Sequence, residues 1–230
     1  MAFTSSEIWG CDLGLVPYGD AWRLQQNLLP KVLEGKIPDL ILFLEHPHVF
    51  TLGKHGREEN LLVSPEGLKE RGVEFFKVDR GGDITYHGPG QLIAYFIFSL
   101  QDLRVKRFVE MLEEAVISTL KSFSIPGERI EGKPGVWVGG KKICSIGIAL
   151  KQKVTQHGLA LNVNPDLSFF NLINPCGEPN LQVTSFEREL GKPVPLNEVI
   201  YQFSHHVKKL FLRDLKFRSR EEIWDLDFPS

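Results

Sequence analysis

The order of hydrophobic and polar positions along the chain follows two repeat patterns, one typical of strands and one typical of helices. Runs 40–45 and 92–100 are almost continuously apolar, as in strands that are buried on both faces of a sheet. In 106–123 and 198–212 the apolar residues recur every three or four positions, which predicts two amphipathic helices. Because such segments alternate without a separating linker, the sequence predicts a single domain over 1–230 with an α+β (mixed α/β) fold, in which helices pack on a central mixed sheet.

Capping residues and prolines predict where the helices begin and end. Asp20 is expected to cap a helix that runs to Leu33, and Pro30 is expected to kink that helix or to stop it early. Asn197 is the expected cap of the helix over 198–212.

Glycines and small apolar runs predict a strand-rich block between the two amphipathic helices. Gly139 and Gly140 suit a two-residue hairpin turn, which requires positive φ, between strands over 136–138 and 142–150. Further strands are expected over 75–79 and 158–163, and loops over 126–135 and 174–180.

Composition and charge narrow the class of protein. The 230 residues are 42% hydrophobic and carry a formal net charge of -2, which gives no argument for binding to nucleic acid or to an anionic membrane. No apolar run approaches the roughly 20 residues of a membrane span, and the N-terminus lacks a secretory pattern, so the expected compartment is the cytoplasm. Cys11, Cys144 and Cys176 cannot all pair and form no Cys-x-x-Cys, so we expect neither a disulfide framework nor a metal site.

The segment from Arg80 to Gln91 (RGGDITYHGPGQ) contains four glycines between two predicted strands. Small residues let backbone N–H groups face a ligand, as in an anion-binding nest. Arg80 and His87 add polar groups near its two ends. A purely structural loop with a solvated arginine is the alternative, and Tyr86-His87 flanked by glycines favours a binding site.

Cys176 lies in the sequence Asn174-Pro175-Cys176-Gly177. Most buried cysteines are inert small hydrophobes. A loop beside proline and glycine, in contrast, leaves a thiol exposed to a substrate. Reaction requires the thiolate, which a nearby cation stabilises.

Lys142 follows the Gly-Gly turn at the start of an otherwise apolar strand. Alternation along a strand places its side chain on one face with Cys144, Ile146 and Ile148. Desolvation on such a face depresses the pKa of a lysine and turns it into a general base. Cys144 is a rival nucleophile, although its position among isoleucines favours a buried structural residue.

The chain resembles the octanoyltransferases (lipoyl(octanoyl) transferases) of lipoate biosynthesis. The resemblance rests on RGGDITYHGPGQ, GVWVGGKKICSIGIA, QHGLALNV and INPCG in that order, with LGLVPYGDAWRLQQ and LEHPHVFTLG before them. It covers roughly residues 12–215. It implies a fold similar to that of the biotin and lipoate protein ligases. One departure is Cys144, where the family more often has alanine.

The resemblance also implies the roles of individual residues. Cys176 would be the acyl-accepting nucleophile, and Lys142 would be its partner in proton transfer. The residues that would bind the acyl substrate are Arg80, Gly81, Gly82, Asp83, Ile84, Thr85, Tyr86, His87, Ser145, Ile146, Gly147, Gly158, Leu159 and Ala160.

The implied reaction moves an octanoyl group from octanoyl-acyl carrier protein to a lysine of a lipoyl domain, through a thioester on Cys176. The expected acceptors are the lipoyl domains of 2-oxoacid dehydrogenase complexes and the H protein of glycine cleavage. Thioester exchange is nearly balanced in free energy, so no cofactor and no ATP are expected.

Three other functions stay open from the residues alone. An ATP-dependent lipoate or biotin ligase needs a lysine but no nucleophilic cysteine. A thioesterase or other cysteine hydrolase would release free acid without an acceptor domain. A non-enzymatic acyl-binding module would hold the ligand without a covalent bond.

Overall fold

The computed structural model describes residues 6–227. The strands in this range are β1 (Glu7–Leu15), β2 (Leu40–Glu45), β3 (Val49–Leu52), β4 (Glu74–Lys77), β5 (Ile84–His87), β6 (Gln91–Ile97), β7 (Glu128–Ile130), β8 (Lys133–Val138), β9 (Lys141–Lys151), β10 (Val154–Asn162) and β11 (Asp214–Phe217). The helices are α1 (Tyr18–Leu33), α2 (Pro65–Glu70), α3 (Val105–Ser122), α4 (Phe186–Leu190), α5 (Leu196–Phe211) and α6 (Arg220–Asp225). Short 3₁₀ turns cover Glu58–Asn60, Leu167–Leu172 and Pro175–Gly177.

A large mixed sheet forms the centre of the molecule. Its strand order is β11-β1-β2-β6-β10-β9-β8-β7, with β1 parallel to β11 and β2 and the other neighbours antiparallel. The predicted α+β class is therefore confirmed. In residues 6–227 no helix is long and apolar enough to cross a membrane.

Helices cover both faces of this sheet, which explains why its central strands are apolar at every position. On β2, Ile41 and Phe43 face the core under α3 and α5, whereas Leu40, Leu42 and Leu44 face the core under α1 and α6. The residues of β6 alternate in the same way. Two buried faces leave few polar positions on these strands.

A smaller three-stranded sheet, ordered β4-β3-β5, stands beside the large one. Its own hydrophobic core includes Phe50, Ile84 and Tyr86, together with Phe170 from the 3₁₀ turn Leu167–Leu172. The glycine-rich segment links the two sheets, because it runs from the end of β4 through β5 into β6.

The predicted hairpin is confirmed at Gly139 and Gly140, which have φ of +53° and +75° between β8 and β9. The predicted strands over 40–45, 75–79, 92–100 and 158–163 and the two long helices are also present, with ends shifted by up to four residues.

Two predicted helix caps are wrong, and one of the two effects expected of Pro30, the early stop, is excluded. The first helix begins at Tyr18 after Pro17, whose fixed φ of -53° precedes the helix, so Asp20 lies inside the first turn and pairs with Arg23. Pro30 does not stop this helix, since it lies in the last turn and its carbonyl still accepts a hydrogen bond from Glu34 N–H. The other long helix begins at Leu196, directly after Pro195, so its first residue precedes the expected cap Asn197.

Both predicted loops contain regular structure. Residues 126–135 include β7 and the start of β8, which pair across Ile130 and Lys133. Residues 174–180 include the 3₁₀ turn Pro175–Gly177. Pro and Gly therefore mark the ends of two short paired strands in the first stretch and a 3₁₀ turn in the second.

Candidate active site

Lys142 is held by backbone hydrogen bonds at the start of β9. Its N–H donates to the Gln182 carbonyl (2.9 Å), and its carbonyl accepts from Thr184 N–H (3.0 Å). The residue is only 7% exposed. Its Nζ lies 5.1 Å from the centre of the Trp137 ring on β8, a distance that allows a cation–π contact. The backbone of this lysine is therefore held by the segment over 182–184, and its side chain contacts β8.

Cys176 lies in a tight turn rather than in a strand. Its φ of 58° and ψ of 18° are left-handed, and Gly177 after it has φ of +72°. The turn is closed by hydrogen bonds from Gly177 N–H to the Asn174 carbonyl and from Glu178 N–H to the Pro175 carbonyl. Left-handed backbone at a non-glycine residue is uncommon and is held here by the surrounding structure.

The two predicted catalytic side chains meet. Lys142 Nζ donates a hydrogen bond to Cys176 Sγ over 3.2 Å, although 34 residues separate them. The sulfur is half-buried, so it is accessible from the cavity described below. A cationic neighbour of this kind stabilises a thiolate.

The other two cysteines are placed as structural residues. Cys144 is 1% exposed in the core under α3 and α5, and burial raises the pKa of its thiol. Cys11 is also buried, and burial raises the pKa of its thiol to about 12. Neither sulfur is placed to form a thiolate at neutral pH.

Lys142 and Cys176 line one cavity with a volume of about 780 Å³. Nearly all of the predicted substrate-binding residues also line it. These residues are Arg80, Gly81, Gly82, Asp83, Ile84, Thr85, His87, Ser145, Ile146, Gly147, Gly158, Leu159 and Ala160.

Tyr86 is the one predicted binding residue outside this cavity lining. Its hydroxyl lies 2.8 Å from His48 Nδ1, and its ring stacks on Phe169. Tyr86 packs in the core of the small sheet and alternates along β5 with Thr85 and His87, which line the cavity.

Arg80 is a buried cation at the cavity wall. It is 8% exposed, and burial lowers the pKa of its guanidinium. Its Nη2 donates to the Thr51 carbonyl (2.6 Å) and hydroxyl (2.8 Å), and its Nη1 to the Gly81 carbonyl (3.1 Å). Within residues 6–227 no carboxylate lies within 4.0 Å of this guanidinium. The sequence-based alternative of a solvated arginine is wrong.

A buried chain of hydrogen bonds joins the glycine-rich segment to the lysine. His87 Nδ1 donates to Gln91 Oε1 (2.8 Å), Gln91 Nε2 donates to Asn162 Oδ1 (2.9 Å), and Asn162 Nδ2 donates to the Thr184 carbonyl (3.0 Å). Thr184 N–H in turn donates to Lys142. Gln91 and Asn162 lie 71 residues apart, so no local sequence pattern could reveal this connection.

The inner end of the cavity has polar groups that sequence patterns missed. Tyr18 and Tyr95 line it, and His46 lies behind them. His46 Nδ1 donates to the Val16 carbonyl (2.7 Å), so in the neutral ring Nε2 accepts from the Tyr95 hydroxyl (2.7 Å). Burial lowers the pKa of His46 to about 4.

His157, which no sequence pattern singles out, also lines the cavity. Its Nε2 lies 2.8 Å from Asp79 Oδ1, and Lys151 Nζ lies 2.9 Å from Asp79 Oδ2. The hydrogen bond from His157 holds the pKa of Asp79 well below its usual range. His157 has φ of 59°, which the hydrogen bond from its N–H to Gln25 Oε1 helps to hold.

Within residues 6–227 no group of three or more histidine, cysteine or carboxylate side chains could hold a metal ion.

The chain is similar over most of its length to known proteins. Residues 17–208 match the family model described as the lipoyl protein ligase A/B catalytic domain. A relative from Caldicellulosiruptor saccharolyticus, named octanoyltransferase, is 44% identical over 220 residues, which are 94% of each chain. Another of the same name, from Christiangramia forsetii, is 41% identical over 226 residues, 90% of this chain and 97% of that one. A solved lipoate-protein ligase A bound with ATP shares the fold, with a TM-score of 0.76 at 17% identity over 94% of this chain and 91% of that one.

Proposed function

This chain belongs to the lipoyl protein ligase A/B catalytic-domain family, and we propose that it transfers an octanoyl group to lipoyl domains through a thioester on Cys176. The relatives that it matches over nearly their full length are octanoyltransferases, which are acyltransferases of protein lipoylation. The whole chain is proposed to act as one catalytic domain.

The first half-reaction forms the acyl-enzyme. The Cys176 thiolate attacks the carbonyl carbon of the donor thioester, a new carbon–sulfur bond forms, and the bond to the donor sulfur breaks. The leaving thiolate takes a proton from Lys142. One thioester replaces another, so this step needs no energy source.

The second half-reaction makes an amide. The ε-amine of the acceptor lysine attacks the thioester carbonyl on Cys176, and the cysteine thiolate leaves. A free lysine has a pKa of about 10.4, so it first loses one proton to the solvent. The neutral amine that then attacks carries a further proton, which a base must remove as the amide forms. Lys142, neutral after the first step, is the proposed base, and this transfer restores its ammonium.

The oxyanion of both steps requires N–H donors near the sulfur. The N–H of Gly81 already donates to the Ile148 carbonyl (3.0 Å), and the N–H of Ile84 to Asp83 Oδ1 (2.6 Å). We propose that the N–H groups of Gly82 and Asp83, which lie between them on the cavity wall, supply this stabilisation.

The contact of 3.2 Å between Lys142 and Cys176 inside the cavity is the single observation that carries the mechanism. An ATP-dependent ligase would have no use for a thiol at this position. The proposed donor is octanoyl-acyl carrier protein, and the proposed acceptors are the lipoyl domains of 2-oxoacid dehydrogenase complexes and the glycine cleavage H protein. The cytoplasmic location stays a prediction.

Two basic residues near the cavity pair with neighbouring carboxylates instead of facing a carrier protein. Of the basic residues near the cavity, Arg129 pairs with Glu113 and Glu114, and Lys133 pairs with Glu178. Their charges are largely compensated, so they do not form a basic patch.

Intact-protein mass spectrometry tests the function. The protein is incubated with octanoyl-acyl carrier protein without ATP, and then with a lipoyl domain. We expect the mass of one octanoyl group on the enzyme, and its passage to the lipoyl domain when that domain is added. The adduct should be absent in Cys176→Ser and present in Cys144→Ala. An adduct that persists in Cys176→Ser, or transfer that requires ATP, contradicts the proposal.

A further inference from the structure

Glu113 is a buried carboxylate that the proposed mechanism does not use. It lies on α3 at the cavity wall and is 7% exposed. Its Oε1 accepts a hydrogen bond from Gly135 N–H (3.0 Å), and its Oε2 accepts one from Arg129 Nε (3.0 Å). A buried carboxylate is costly unless its oxygens are paired, so this placement requires both partners.

Gly135 lies on β8 beside the side chain of Lys142, where there is no space for a Cβ. Its φ is +116°, and a Cβ built on it would lie 2.4 Å from the Cys144 carbonyl oxygen and 2.7 Å from Lys142 Cε. The register between β8 and β9 also shifts between Val136 and Trp137, directly after this residue. The Gly135 backbone therefore packs against the stem of Lys142, and a movement of one displaces the other.

We propose that Glu113 is a positioning residue for Lys142, which it holds against Cys176 by accepting the hydrogen bond of Gly135 N–H. This inference rests on the dyad mechanism proposed above. Glu113 acts through the acceptor oxygen Oε1, which faces the Gly135 N–H (3.0 Å), whereas its Oε2 and the carboxylate of Glu114 (2.9 Å) both bind Arg129.

The neighbouring Glu114 provides a matched control. It lies on the same helix and pairs with the same arginine, but its side chain is 43% exposed. Among residues 6–227 its only ion-pair partner is Arg129, and the Gly135 N–H is satisfied by Glu113. Substitution of Glu114 changes the charge at Arg129 and leaves the support of Gly135 in place.

The first experiment measures the rate at which iodoacetamide alkylates Cys176 at pH 7, with the site identified by peptide mass spectrometry. Glu113→Ala removes the acceptor, and we expect the rate to fall about tenfold because the thiolate loses its cationic neighbour. Glu113→Gln keeps an acceptor oxygen, and Glu114→Ala keeps Glu113, so both should stay within about twofold of the unsubstituted protein.

The second experiment measures steady-state octanoyl transfer. Glu113→Ala should lower kcat about tenfold and leave KM for the acyl donor within about twofold, since the base is displaced while the cavity persists. Circular dichroism melting confirms that each variant is folded at the assay temperature. If Glu113→Ala does not fold, the alkylation rate and kcat of Glu113→Gln test the proposal in a folded protein.

The positioning role is wrong if the alanine variant reacts at the normal rate, if the glutamine variant loses as much as the alanine variant, or if Glu114→Ala loses as much. Alkylation needs no acyl substrate. If no octanoyl adduct forms on the unsubstituted protein, the proposed function is wrong. The alkylation rates of the variants would still test the role of Glu113.

Discussion

The two members of the dyad come from regions of opposite character. Lys142 lies on β9, an eleven-residue strand of the large sheet, next to the Gly139-Gly140 hairpin. Cys176 lies in the turn over 174–178, hereafter the nucleophile turn, where two consecutive residues have left-handed backbone. The strand holds the amine, and the turn holds the sulfur 3.2 Å from that amine. The backbone geometry of the turn thus places the Cys176 sulfur, and the register of β9 places the Lys142 amine.

Removal of the amine should have the largest effect. Lys142→Ala leaves β9 intact and removes proton transfer, so we expect both half-reactions to slow about 100- to 10,000-fold. Lys141→Ala, at the adjacent residue of the same strand, should stay within about twofold. The measurements are the rate of adduct formation on Cys176 and the rate of adduct loss to a lipoyl domain. If Lys142→Ala reacts as fast as the unsubstituted protein in both half-reactions, the Lys142 amine takes no part in proton transfer.

The nucleophile turn can be tested at Gly177. A Cβ on this residue would lie 2.7 Å from Asp83 Oδ2, at φ of +72°. Gly191 has φ of +71° at the end of α4, with open space around its Cα. Alanine at either position costs about 1 kcal/mol of stability for the left-handed backbone. Only Gly177→Ala should also slow acylation of Cys176, by about tenfold or more, because the turn must shift.

Acylation and unfolding are measured on both glycine variants. If Gly177→Ala and Gly191→Ala lose similar stability and both keep the rate of acylation, the nucleophile turn tolerates displacement. The proposal that the exact backbone geometry of the nucleophile turn is required for acylation would then be wrong.

A smaller effect is expected from the support beneath the turn. Asn60 Nδ2 donates to Asp83 Oδ2 (2.8 Å), and the Asn60 carbonyl accepts from Asn174 N–H (2.8 Å). Asn60→Ala leaves Asp83 short of one partner, so we expect a loss of about 1–3 kcal/mol in unfolding free energy and a several-fold slower acylation. Glu59→Ala, on the exposed side of the same 3₁₀ turn, is the control. Denaturant unfolding and the burst rate of acylation separate the two effects, and equal behaviour of both variants would remove Asn60 from this role.

The difference between strand register and turn geometry also explains which elements of the fold the sequence predicts. β2, β6 and α3 were predictable because their apolar period reflects which faces are buried, and that period is local. The Gly139-Gly140 hairpin was predictable because positive φ has a direct signature in residue type. The first turns of α1 and α5 were not, because prolines just before the helices set where they begin.

The site divides in the same way. Cys176 and Lys142 were identified from residue type and from family motifs, since each lies in a recognisable segment. Glu113, Asn60 and Asn162 were not, because their partners Gly135, Asp83 and Gln91 are distant in sequence. Hydrogen bonds between remote segments leave no period or spacing along the chain, so only the fold reveals them.

The last prediction concerns the stability of the folded protein in acid, which depends on His46 at the polar end of the cavity. Burial lowers the pKa of His46 to about 4, whereas an unfolded histidine has a pKa of about 6.5. The unfolded chain therefore binds the proton more readily. The stability that neutral His46 provides is fully present above pH 6.5 and is lost as the pH falls toward 4, with a slope of about 1.4 kcal/mol per pH unit.

Urea unfolding between pH 7.5 and 4.5 measures this slope. Burial also lowers the pKa of His87, His157 and His206, so the slope of the unsubstituted protein includes all four residues. His46→Gln should remove about 1.4 kcal/mol per pH unit from it, whatever the change in absolute stability. His55→Gln, at an exposed turn position, should leave the slope unchanged. An unchanged slope in the His46 variant would mean that this ring binds its proton equally well in the folded and the unfolded chain. The polar end of the cavity would then hold a histidine that gains its charge near pH 6.5, and burial would not keep it neutral.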